Sequence, residues 1–203
     1  GPTGSGKTTT LYSLLNQLNS QERKIITLED PIEYSIEGIN QMQIRPEIGF
    51  DFAAGLRSVV RQDPDVIMVG EIRDAETARI ALQSAITGHL VFSTVHTNDA
   101  PSAYTRLLEL GAEEYLLNAG LVSIVAQRLV RALCPSCKRP VGEVTGALRE
   151  AIDHSQALGA VNVCEAVGCD ACNHTGYRGR LAIAEYMPCG EEILRIDKDA
   201  RFA

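Results

Sequence analysis

The first eight residues, Gly1-Pro2-Thr3-Gly4-Ser5-Gly6-Lys7-Thr8, constrain the fold more than any other segment. They match the phosphate-binding pattern G-x-x-x-x-G-K-[ST] at every specified position. A loop of this kind turns successive backbone N–H groups inward around an anion. Gly4 and Gly6 omit the Cβ atoms that would hold the backbone away from a phosphate. Lys7 is placed to reach the β- and γ-phosphates of ATP, and the Thr8 hydroxyl to ligate Mg²⁺. All eight residues are therefore candidate nucleotide contacts. The plainer reading is a Gly/Ser/Thr-rich turn that caps a helix. A helix is expected either way, because Leu11, Leu14, Leu15 and Leu18 recur at i, i+3, i+4 and i+7. A phosphate loop also follows a β-strand directly, so the first strand of the sheet is expected ahead of Gly1 and missing from these residues.

Strands and helices alternate after that helix. Lys24–Leu28 reads as a buried strand ending in Glu29-Asp30-Pro31. Residues 36–48 alternate loosely and read as irregular or as a short hairpin. Phe52–Arg61 reads as a helix, Asp65–Gly70 as an apolar strand, and Asp74 as the cap of a helix reaching about Thr87. Leu90–Thr94 reads as a strand. Asn98 or Asp99 caps a helix to Leu110, and a further helix is expected from Glu114 to Arg131. This order predicts an α/β fold with a mostly parallel sheet covered on both faces. Ligands bind such sheets at the carboxyl ends of the strands.

Acidic and histidine clusters stand at those ends. Glu29 and Asp30 close one strand, Glu71 follows another with Arg73 and Asp74, and His96 follows a third. Phosphoryl transfer needs an acceptor for the metal's water shell and a group that positions the attacking water. Glu29, Glu71 and His96 are the catalytic candidates. Each has a bland alternative: a helix cap or solvated turn for the acids, a backbone-satisfied side chain for the histidine. Asp74 is better explained as a cap. Arg45, Arg57, Arg61 and Arg73 lie near the same edge, and none is singled out.

Four of the six cysteines form two C-x-x-C pairs, Cys134/Cys137 and Cys169/Cys172. Two such knuckles complete a tetrahedral Cys₄ site, with zinc the first choice. The gap between the pairs exceeds that of an ordinary zinc ribbon and encloses an insert with a helix-like stretch, Val144–Ala157. An iron–sulfur cluster and unligated thiols remain as alternatives. Cys164 and Cys189 lack such a partner and read as buried or free. The expected division is a core at 1–131, a cysteine module at 132–180 and a segment at 181–203 that returns to the core. The net charge of −7 argues against wholesale nucleic-acid binding. No run approaches the roughly 18 apolar residues that span a bilayer.

Together these motifs resemble the secretion ATPases of the bacterial type II secretion and type IV pilus class. GPTGSGKTTTLYS resembles the family's Walker A motif, ITLEDPIEY its Asp box, RQDPDVIMVGEIRD its Walker B and GHLVFSTVHTND its His box. AQRLVRALCPSCK with GCDACNHTGYRGR resembles its tetracysteine zinc module. The resemblance covers Gly1 to about Met187. It implies a RecA-like P-loop NTPase core, a cytoplasmic homo-hexamer, and hydrolysis that moves each core against a separate N-terminal domain. The motion passes to inner-membrane platform and anchoring proteins, so the protein is expected at the inner membrane through partners, with no span of its own. By position, Lys7 and Thr8 bind phosphate and Mg²⁺, Glu71 is the Walker B glutamate, Glu29 is a candidate to polarise water and His96 a candidate γ-phosphate contact. Retraction motors resemble the chain less, since they generally lack the tetracysteine module. The wording of GLRSVVRQDPD and AQRLVRALCPSC is closer to the type II secretion branch than to pilus extension. The family's N-terminal domain usually contributes arginines, so residues 1–203 alone are expected to hydrolyse ATP weakly. A nucleotide-gated binding module with little turnover, and a DNA-handling motor, are the competing functions. The acidic charge and the lack of an aromatic, basic groove speak against the second.

Overall fold

The computed structural model describes residues 1–142, 144, 146, 149, 150 and 163–190. The chain divides into two compact units, residues 1–128 with the described residues from 184 on, and the described residues of 129–183.

The first unit contains α1 (Lys7–Leu18), β1 (Ile25–Glu29), β2 (Asn40–Gln43), α2 (Phe52–Val59), β3 (Val66–Val69), α3 (Ala75–Ile86), β4 (Leu90–Ser93), α4 (Ala100–Glu109) and α5 (Glu114–Gly120). Its sheet runs β2-β1-β3-β4, and every ladder is parallel. Ile26 pairs with Ile67, and Ile67 with Val91. Every residue of β1 and β3 is buried, as expected of central strands with helices on both faces. Alternation along β1 and β3 sorts the side chains. Ile26, Leu28, Ile67 and Val69 pack with Phe52, Leu56 and Val59 of α2, while Ile25, Val66 and Met68 pack with Tyr12 and Leu15 of α1. Thr27 and Glu29 follow Ile25 at steps of two, so they share the α1 face. That alternation carries Glu29 into the interior beneath α1, where it is 3% exposed.

Several expectations hold closely. Asp74 caps α3 by accepting from the Thr77 N–H at 2.8 Å, and Asp99 caps α4 by accepting from Ser102 at the same distance. Replacing Asp74 with Ala is expected to cost about 1 kcal/mol, read as a fall of about 2–4 °C in the melting midpoint of the intact protein.

Three expectations need correction. Residues 36–48 form no hairpin. Asn40–Gln43 is an edge strand parallel to β1, followed by a short 3₁₀ turn at Pro46–Ile48. Its polar sequence carries little strand propensity of its own, and its order comes from the register on β1. The helix expected over Glu114–Arg131 stops at Gly120, and Ser123–Leu133 is strand β5. A Cβ at Gly120 would stand 3.1 Å from the Leu82 carbonyl, so α5 approaches α3 where only glycine fits easily. The residues after it include β-branched Ile124 and Val125, and β5 pairs with β8 (Tyr177–Pro188), about fifty residues downstream. The buried face of α1 is Tyr12 and Leu15, while Leu14 is 37% exposed. Leu11 and Leu18 pack beside that face, and Leu14 lines, with Leu11, Val91, Phe92, Leu107 and Ile124, an apolar hollow of about 320 Å³ beside β4.

The second unit includes the short strands β6 (Arg139–Pro140) and β7 (Cys164–Glu165), paired antiparallel. The helix expected at Val144–Ala157 lies largely outside the described residues. The segment from 191 onward lies outside them as well.

Candidate functional site

The phosphate loop leads directly into α1, with Gly6 as the residue before its first turn. Gly4 and Gly6 have φ of 76° and 88°, the left-handed region that favours glycine. Beyond its chain neighbours, no atom lies within 4 Å of where a Cβ on Gly4 would stand, so space is open beside the loop there. The leading N–H groups of a helix have no intrahelical acceptor, and here no side chain caps them. They are available to an anion. Lys7 folds back over the loop, and its Nζ donates to the Gly1 and Pro2 carbonyls at 2.8 and 2.9 Å. Partial burial lowers its ammonium below the ordinary lysine value, against the opposing pull of the Glu71 carboxylate. A partly desolvated cation hydrogen-bonded to neutral carbonyls favours an incoming phosphate. The residues present therefore fit a nucleotide phosphate chain.

The end of β3 supplies the carboxylate. Gly70 ends the strand, with its N–H bonded to the Leu28 carbonyl at 2.8 Å, and Glu71 emerges with its side chain 17% exposed. Glu71 pairs with Arg73 through one oxygen, and the other lies 3.6 Å from His96 Nε2. Arg73 also lies 3.8 Å from Asp30, and the Glu71 contact raises its guanidinium further above the usual arginine value. The Thr94 hydroxyl donates to the Gly70 carbonyl at 2.7 Å, and Ile72 N–H to the Thr94 carbonyl at 3.1 Å. These bonds tie the strand ends that carry Glu71 and His96. Lys7, Glu71 and His96 thus fall at one edge of the sheet.

Glu29, on the neighbouring strand, is held by its own set of partners. One of its oxygens accepts from the Tyr12 hydroxyl, and the other accepts from Thr27 Oγ1 at 2.6 Å and Gln41 Nε2 at 3.0 Å. The Tyr12 oxygen also accepts from the Glu33 N–H at 3.2 Å. Burial first, and then Glu29, push the Tyr12 hydroxyl up to about 12. It is a persistent donor across the neutral range. Tyr12 and Gln41 have no place in the sequence reading of the site. The available signal for Tyr12 was a polar-tipped aromatic beside the leucine stripe of α1.

In the second unit the four paired cysteines converge. The sulfurs of Cys134, Cys137, Cys169 and Cys172 all lie within 4.8 Å of one another. Individual separations are 3.9–4.0 Å for Cys134–Cys169, Cys137–Cys172 and Cys169–Cys172. That is far beyond a disulfide bond. It is close to the edge of about 3.8 Å of a tetrahedron with metal–sulfur bonds of about 2.3 Å. Backbone N–H groups aim at the sulfurs: Gly168 at Cys137 (3.4 Å), and Cys169 and Gly176 at Cys172 (3.2 Å each). Such donors stabilise thiolates, the form that binds a metal. Cys164 and Cys189 stand apart as free, half-buried thiols.

A family model described as type II/IV secretion system protein matches residues 1–201. The chain belongs to this family. Among curated relatives of this secretion family, the chain is 56% identical over 189 residues to the type IV pilus assembly ATPase PilB of Myxococcus xanthus, covering 93% of this chain and 33% of that protein. It is 54% identical over 187 residues to the type II secretion system ATPase E of Vibrio cholerae, covering 92% and 37%. The chain therefore spans about a third of the length of these relatives. Among solved structures, the pilus retraction motor PilT with bound ADP is 38% identical at a TM-score of 0.59, over 77% of this chain and 49% of that one. The ATPase DotB of Legionella pneumophila is 28% identical at 0.65, over 100% and 48%.

Proposed function

We propose that the chain carries the ATP-hydrolysing site of a type II secretion motor, powering pseudopilus assembly and protein export across the outer membrane. The observation that carries this reading is a phosphate-loop lysine within electrostatic range of a strand-end carboxylate: the charge of Glu71 acts on Lys7, and Glu71 also lies 3.6 Å from His96. In this reading residues 1–8 cradle the phosphates, and Lys7 leaves the Gly1 and Pro2 carbonyls for the β- and γ-phosphates. Thr8 would ligate Mg²⁺ and Glu71 would accept from its water shell; the ion would supply positive charge against the phosphates. Glu71 also orders the attacking water, and His96 contacts the γ-phosphate. For Glu29 to polarise water, one of its oxygens has to leave Tyr12 or the Thr27–Gln41 pair.

Cys134, Cys137, Cys169 and Cys172 hold a structural Zn²⁺ with no open position. We assign the catalytic core to 1–131, the cysteine module to 132–180 and a returning segment to 181–203. The motor works as a cytoplasmic homo-hexamer, held at the inner membrane by platform and anchoring proteins, and without nucleic acid. No helix among the described residues is long and apolar enough to cross a membrane.

Pilus extension is the second reading, favoured by the 56% identity to a pilus assembly ATPase. One experiment separates them. Lys7→Ala is introduced into the intact protein in its own cell, and secreted enzymes and surface pili are assayed together. Loss of secretion with pili retained is the expected result. Loss of pili alone would move the chain to the pilus branch, and loss of neither would remove the motor reading.

A further inference from the structure

We propose that Gln127 is a positioning residue of the phosphate loop, locking the Ser5–Gly6 peptide in the orientation that receives phosphate. The inference rests on the reading of that loop as the nucleotide site. Gln127 lies on β5, is 9% exposed, and uses both ends of its amide. Its Nε2 donates to the Ser5 carbonyl at 2.8 Å, and its Oε1 accepts from the Thr10 hydroxyl at 2.8 Å. The assignment of the two amide ends follows from chemistry, since a carbonyl oxygen only accepts.

The consequence follows from the planar trans peptide. The Ser5 C=O and the Gly6 N–H share one rigid plane and point in opposite directions. Drawing the carbonyl toward Gln127 turns the Gly6 N–H away from β5 and toward the anion side of the loop. Nothing else is expected to hold that peptide. Gly4 and Gly6 on either side of Ser5 carry positive φ and have no Cβ to restrict rotation. The Ser5 hydroxyl is buried with no partner among the described residues, so the side chain adds no anchor. Thr10, in the first turns of α1, holds the Gln127 amide in register with the helix that bears Lys7 and Thr8. The backbone of β5 presses on the same loop, since a Cβ on Gly1 would stand 2.6 Å from the Gln127 carbonyl oxygen.

The test uses the intact protein and ADP as the probe, with affinity measured by calorimetry and melting recorded without nucleotide. Gln127→Met keeps the length of the side chain and removes the amide. It is expected to weaken ADP binding about tenfold, the scale of one lost backbone-orienting bond, while the nucleotide-free melting midpoint moves by only a few degrees. Gln127→Glu guards against a misfolded variant. Its ionised carboxylate accepts from Thr10 but cannot donate to Ser5, whereas its protonated form can. Its affinity relative to the unsubstituted protein is expected to recover as the pH falls, while the corresponding ratio for Gln127→Met stays flat. A purely structural role for Gln127 would lower melting without these affinity changes and would overturn the inference. ADP binding by the unsubstituted protein and equal binding by both variants would overturn it alone. Failure of the unsubstituted protein to bind ADP would overturn the site reading and this inference together.

Discussion

Glu71→Gln in the intact protein is expected to lower ATP turnover by about 10²–10⁴-fold while leaving ATP affinity nearly unchanged. The substitution keeps the size of the side chain and removes its charge. What is lost is the anionic acceptor for the metal's water shell and for the attacking water, a contact strengthened in the transition state rather than in the bound ground state. The phosphate contacts of residues 1–8 are untouched. Folding should also survive. The Glu71 ion pair is with Arg73, whose side chain is 60% exposed, and exposed pairs contribute little. Turnover reduced only a few-fold would point to a nucleotide-gated binding module instead of a motor. Loss of ATP affinity in proportion to turnover would show that Glu71 holds nucleotide and does not act in the chemical step.

Cys137→Ser is the second large expectation: metal content falls from about one ion per chain to near zero, and residues 129–183 become readily cleaved by protease. The described residues of the unit contribute almost no apolar interior. Its buried described residues are Cys134, Cys172 and Gly176, and the apolar clusters among the described residues do not draw on it. On the proposed reading, metal binding holds this unit together, as it does in small structural zinc domains, where it contributes about 10–16 kcal/mol at neutral pH. Ser at Cys137 leaves three thiolates and breaks the closed tetrahedral set. Elemental analysis distinguishes zinc from iron, and a visible chromophore would mark an iron–sulfur cluster. A metal-free preparation that resists protease in this unit would falsify the structural-metal reading.

The parts legible in the sequence were those in which local chemistry and local structure agree. The phosphate loop, the caps at Asp74 and Asp99, and the apolar strands β1 and β3 depend on neighbours within a few residues. The convergence of the four cysteines followed from their spacing alone. What escaped depends on distant partners. β5 resembles a helix in composition, and its strand form is set by pairing with β8 far along the chain. β2 is polar and becomes a strand through its register on β1. Gln127 falls within the helix that the sequence predicts over Glu114–Arg131, and its bonds to Ser5 and Thr10 reach across more than a hundred positions. Glu29 was legible as a strand-end acid. Its enclosure by Tyr12, Thr27 and Gln41 was not, because alternation along a strand buried on both faces does not say which face holds the polar partners.

The all-parallel sheet has a consequence for how the protein reaches this state. Neighbouring parallel strands cannot be joined by a tight turn, so each ladder waits for a crossover to close. β1 gains its central partner only when β3 arrives, with α2 between them, and β3 gains β4 only after α3. The loop-closure entropy of those crossovers is lost before the sheet's contacts form, which slows folding. During synthesis the Ile25–Leu28 segment therefore emerges with β2 soon after it but well before β3, and presents one apolar edge unpaired. Expression at lower temperature or with added chaperone is the condition under which that delay is least harmful.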